Sequence, residues 1–350
     1  MPENYDNNSN NETFGEEEIP APEVTMSPIF TGEEILEQKE KTQIKRTANA
    51  IGISFCILFG ISFLISFITI IASVIMFGAK KEALSLIEEP AVSQVGQILF
   101  SIVVFTLPFI VTFKFARFRI SELVSFKKTE KGLAVPLFFF GISLCAFANM
   151  GSSFLDSIFK GVGIDYSVRE MAFPKGIFGF LLSLISTAIV PALVEEFALR
   201  GIVLGSLRKF GDSFALVASS ICFGVMHANF EQMPFAVVVG LFLGFSVIKT
   251  GSLRVAMAVH FYNNFMYLIF NYLPQSVPAE IQNILFSFLL FISLGIGILF
   301  LRKEDSDFFT LEKGKDTLTE TKKYKYFLLS GGIIVFLVIN LIEAVSFIFI

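Results

Sequence analysis

The stretch IGISFCILFGISFLISFITIIASVIMF, Ile51 to Phe77, runs 27 residues without one charged side chain. A helix needs about 20 predominantly apolar residues to cross the roughly 30 Å hydrocarbon core of a bilayer, so this run alone predicts a membrane span. Outward from it the pattern recurs. With 50–77 as the first candidate, apolar segments at 95–116, 132–155, 176–207, 212–229, 232–249, 252–271, 280–301 and 326–349 follow one another across short polar breaks. The expected fold is an all-α, polytopic transmembrane helical bundle of eight to nine spans. Composition agrees: 54% of the 350 residues are apolar and 17% charged, with mean hydropathy +0.70. A soluble domain carries about a quarter charged residues.

Net charge is −4, which removes the basic footprint of a nucleic-acid binder. The partners implied are the lipid bilayer and whatever reaches the protein within it. Cys56, Cys145 and Cys222 each stand alone in an apolar run and read as small buried hydrophobes. Ahead of the first span, residues 1 to 38 contain no Lys or Arg and carry the cluster Glu16, Glu17, Glu18. Such a segment cannot bury enough apolar surface to fold alone, so 1–46 is expected to be a disordered acidic cytoplasmic tail before a membrane domain over 47–350. With the N-terminus inside, 22 of the 27 Lys and Arg fall in cytoplasmic segments and five on the other side. The positive-inside rule therefore predicts a multi-pass cell-membrane protein with its N-terminus in the cytoplasm and its C-terminus outside.

Ionisable side chains inside apolar spans are costly, and each is a functional hypothesis by default. Spans four to seven hold Glu195, Glu196 and Arg200 in PALVEEFALRG, His227 in CFGVMHANF, and His260, Asn263 and Asn264 in AVHFYNNF. His227 and His260 are the chain's two histidines. At 3.6 residues per turn Glu196 and Arg200 share a helix face and pair in the favourable acid-before-base order, while Glu195 is rotated about 100° away. Glu195 is thereby left as a candidate general base. Counted at 1.5 Å per residue from the turn at Phe210 and Gly211, Glu195 and His227 both lie about 21–22 Å deep. His260 and Asn264 lie about 12 and 18 Å in from Ser252. A carboxylate, two imidazoles and an amide are thus expected to converge within the membrane.

The residues also resemble a known pattern. EEFALR reads as the EExxxR motif, FGVMH as FxxxH with Phe223 leading, and HFYNN as HxxxN of the CPBP family of intramembrane endopeptidases, which includes CAAX prenyl proteases and Abi-type, bacteriocin-processing proteins. The resemblance covers 176–271, the expected catalytic core. It implies proteolysis by an activated water: Glu195 as general base, His227 holding the water, His260 and Asn264 stabilising the oxyanion, and Glu196, Arg200 and Phe223 as structural or orienting residues. The substrate class it implies is a membrane-associated protein or peptide. No cofactor is favoured, but Glu195, His227 and His260 would also make a zinc set with an open fourth position. Two other readings compete. One is a non-catalytic membrane interaction or bacteriocin-immunity factor. The other is a proton-coupled transporter relaying protons through Glu195, His227 and His260, against which the chain shows no internal repeat.

Overall fold

Apolar runs bounded by glycine, proline and charge become helices throughout the computed structural model, which describes residues 31–77, 89–164, 172–273, 277–302, 306–312, 314 and 317–346. The helices are α1 (Gly32–Phe77), α2 (Pro90–Phe115), α3 (Lys131–Gly161), the composite α4 (Gly176–Phe210), α5 (Asp212–Val225), α6 (Gln232–Thr250), α7 (Arg254–Tyr272), α8 (Ala279–Leu301), α9 (Glu320–Leu328) and α10 (Gly331–Ser346). No strand occurs among the described residues, and the all-α polytopic bundle is what the sequence led one to expect.

The number of spans differs. Among the described residues, six helices are long and apolar enough to cross a membrane, or seven if α9 and α10, bent by 66°, count as one. The segment expected at 212–229 is helical only over Asp212–Val225. Those 14 residues rise about 21 Å, short of the hydrocarbon core. Helix α7 is 19 residues long, but His260, Asn263, Asn264 and Asn271 dilute its apolar character.

The boundary of the tail also moves. Residues 1–30 lie outside the described residues, but the segment from Gly32 to residue 46, expected to be disordered, is the start of α1. A capping box opens this helix: the Glu34 N–H donates to Thr31 Oγ1 at 3.2 Å, and the Thr31 N–H returns to Glu34 Oε2 at 2.7 Å. Tertiary bonds then hold the segment. Glu40 Oε2 accepts from the Thr317 N–H, the Thr317 hydroxyl and the Leu318 N–H, and Lys322 pairs with Glu37 at 3.0 Å.

These bonds belong to a network that gathers the basic connections at one end of the bundle. Arg46 donates to Ala116 O, the Leu253 N–H to Ser125 O, and the Asp212 N–H to Glu312 O. The fully buried Lys323 donates to Phe210 O at 2.8 Å, at the carboxyl end of α4, where a cation meets the negative pole of the helix. Deeper in the bundle, Phe55 of α1 stacks on Phe336 of α10 at 4.3 Å and meets Phe109 of α2 edge-on at 5.2 Å. Gly52 permits the α1–α10 approach, because a Cβ there would lie 2.1 Å from the Gly332 carbonyl carbon. Helix α7 packs on α3, α6 and α4, and this contact sets the candidate site.

Candidate active site

Helix α4 is not uniform. Its middle, Val190–Glu196, is α-helical, but Leu184–Ile189 before it and Phe197–Leu204 after it are π-helical. Pro191 helps explain the first irregularity, since a proline has no N–H for the carbonyl four residues earlier, that of Thr187. The side-chain amide of Asn264 donates to this carbonyl at 3.1 Å, pinning α7 to the segment just ahead of the glutamates. π-turns are rare and recur at functional sites, where they redirect side chains.

Glu196 and Arg200 pair as their spacing predicts, at 2.9 Å and buried to 0% and 2% exposure, although Arg200 already lies in the second π-turn. The same oxygen, Glu196 Oε1, also lies 2.8 Å from Nδ1 of His260. A carboxylate paired with a guanidinium only accepts, so Nδ1 carries the proton and donates. This fixes the imidazole and turns Nε2 toward Glu195, whose Oε2 lies 3.9 Å away. Glu195 Oε2 is buried and receives no hydrogen bond. The two adjacent glutamates therefore have different surroundings: one is bonded to a cation and an imidazole, the other faces the second nitrogen of that imidazole.

Phe223 of α5 stands at the centre of the remaining contacts. The Arg200 guanidinium lies over its ring at 4.0 Å, with the His227 and His260 rings at 5.2 and 6.1 Å from it. His227 lies on the turn that ends α5. Its N–H bonds Gly224 O at 3.2 Å, and Ala228 next to it is left-handed, with φ 47°. Asn229 then accepts from the Glu231 and Gln232 N–H groups to start α6. A left-handed alanine costs about 1 kcal/mol, and such strain collects at functional turns.

The expected residues are thus distributed as follows. Glu195, Glu196, Arg200, His260, Phe223 and His227 form one cluster. Asn264 joins it through the backbone of α4, with Nδ2 on Thr187 O and Oδ1 accepting from Asn263 at 3.3 Å. Spacing did not reveal Asn149 of α3, which donates to Asn263 Oδ1 at 3.2 Å, nor Gln94 of α2, which accepts a hydrogen bond from the Ser186 hydroxyl inside the first π-turn. Both are uncharged amides in or beside apolar runs, and polar side chains at membrane depth would have been the signal for them. Among the described residues, no three His, Cys, Asp or Glu side chains converge as a metal-binding set.

Formal charge bears on the chemistry. Glu195, Glu196 and Arg200 sum to −1, and an uncompensated buried charge costs several kcal/mol. A second proton on His260 would balance the sum and place an Nε2–H beside Glu195. The arrangement can accept a proton at one atom and donate one at another within 3.9 Å.

Residues 177–266 match the profile of the family described as Rce1-like, type II CAAX prenyl endopeptidase. No curated protein and no solved structure matches the chain.

Proposed function

We propose that this multi-pass membrane protein, whose residues 177–266 match the Rce1-like, type II CAAX prenyl endopeptidase family model, hydrolyses a peptide bond of a membrane-associated protein or peptide, using a water activated by Glu195. The observation that carries the reading is the pairing of a buried, unbonded Glu195 Oε2 with His260 Nε2 at 3.9 Å, while Glu196 holds the other face of the imidazole. A water about 3 Å from both atoms can lose its proton to Glu195. The resulting hydroxide adds to the peptide carbonyl carbon, and the oxyanion receives the Nε2–H of His260. Asn264 has a second amide hydrogen beyond the one given to Thr187, available to the same oxyanion. His227, on its turn beside Phe223, helps hold the water. Collapse of the tetrahedral intermediate breaks the C–N bond, and the proton taken by Glu195 passes to the leaving amine.

A zinc course competes with this one: Glu195, His227 and His260 would hold the ion, which would polarise the peptide carbonyl and activate the water. The orientation proposed, N-terminus in the cytoplasm and C-terminus outside, places the basic end of the bundle on the cytoplasmic side. The test is cleavage of a single-span reporter peptide by purified protein in lipid nanodiscs. Activity that survives exhaustive chelation and vanishes in Glu195→Gln supports the reading. Activity lost on chelation and restored only by zinc would assign Glu195, His227 and His260 to a metal instead. Proton flux into proteoliposomes without cleavage would assign the cluster to transport.

A further inference from the structure

Away from the catalytic cluster, a groove of about 700 Å³ lies between the basic end of α1 and the last turns of α2. Its volume falls within the roughly 300–1,000 Å³ usual for ligand pockets. The lining changes character along its length. Lys45 and Arg46 stand at one end, and Ile53, Ile57 and Val111 form the other, exposed to 46%, 38% and 37%. Between them Thr112 is only 9% exposed, and its hydroxyl is buried without a hydrogen-bond partner. The Arg46 guanidinium is fixed at the rim by its bond to Ala116 O at 2.7 Å. The nearby carboxylates of Glu37 and Glu40 are engaged by Lys322 and by Thr317 and Leu318.

We propose that this groove holds an anionic phospholipid. Its phosphate lies on Lys45 and Arg46, a glycerol or ester oxygen accepts from the Thr112 hydroxyl, and one acyl chain runs along Ile53, Ile57 and Val111. The order of positive, polar and apolar lining is the order of phosphate, glycerol and chain in such a lipid. From Lys45 to Ile57, α1 rises about 18 Å, slightly more than the roughly 15 Å of one leaflet's hydrocarbon. Basic side chains at this level attract anionic headgroups, each contributing about a fivefold gain in affinity.

The experiment is thermal unfolding of the full chain in zwitterionic micelles, titrated with dioleoylphosphatidylglycerol, dioleoylphosphatidylcholine or glycerol 3-phosphate. The expected result is a saturable stabilisation by phosphatidylglycerol alone. Half-saturation should shift about thirtyfold higher in Lys45→Glu, which alters two charge units, and severalfold higher in Thr112→Val. If Lys45→Glu does not fold, Lys45→Gln, with about a fivefold shift, makes the same comparison. Equal stabilisation by the two lipids, or a phosphatidylglycerol response unchanged in these variants, would overturn the proposal. So would saturation by glycerol 3-phosphate, which would mark an anion site only. Stabilisation that tracks protein concentration instead of lipid would assign the face to a second copy and overturn it as well.

Discussion

Replacing each adjacent glutamate by glutamine changes charge while keeping shape, and the structure gives the two substitutions opposite consequences. Glu196 Oε1 accepts from Arg200 at 2.9 Å and from His260 at 2.8 Å in a fully buried setting. Glu196→Gln breaks the buried, hydrogen-bonded ion pair with Arg200, which costs about 3–5 kcal/mol. Glu195 Oε2 has no hydrogen bond to lose. Glu195→Gln removes a buried carboxylate's charge together with the second proton of His260 that balances it, so stability should stay within about 1 kcal/mol of wild type or rise, as expected where a catalytic group is held at a cost to the fold. Both variants should lose cleavage, the first through a misplaced His260 and the second through loss of the base. The assay pairs denaturant unfolding in mixed micelles with initial rates on a reporter peptide. Equal destabilisation by the two substitutions would refute the division of roles, and near-normal cleavage by Glu195→Gln would refute the mechanism.

Phe223→Leu withdraws the ring beneath Arg200, a desolvated cation–π contact at 4.0 Å worth about 2 kcal/mol, so unfolding should show at least that loss while Phe223→Tyr keeps most of it. Ala228→Gly removes left-handed strain at φ 47° and should stabilise the protein by about 1 kcal/mol, measured by the same unfolding; a loss would mean the turn is built differently. A topology reporter inserted at Lys315 should read as cytoplasmic and one fused after Ile350 as external, and the reverse pair would contradict the proposed orientation.

Much of the site was legible because helical spacing is a local property. The Glu196–Arg200 pair follows from a separation of four residues, and survives a π-turn because both long side chains can adjust. The bond between Glu196 and His260, 64 positions apart, could not be read that way, since it depends on how α7 crosses α4. The sequence marked Glu196 as a partner of Arg200 alone, whereas it also sets the tautomer of the imidazole. Asn264 was legible as a polar residue on the face of His260, but its bond to Thr187 follows from a proline on another helix. The tail boundary failed for a related reason: Glu37 and Glu40 look solvated in composition, yet bonds to Lys322, Thr317 and Leu318, some 280 positions away, order them. Hydropathy found the helical segments well, but it could not see that α5 ends at Val225 after 14 residues, with the left-handed Ala228 in the turn beyond it.

The most direct test of the central claim is terminal-peptide mass spectrometry on membranes from cells producing equal amounts of the wild-type chain or of Glu195→Gln. The account predicts new peptide termini, from membrane-associated proteins, present with the wild type and missing with the variant. Identical sets of termini from the two membranes, with both proteins folded, would contradict it.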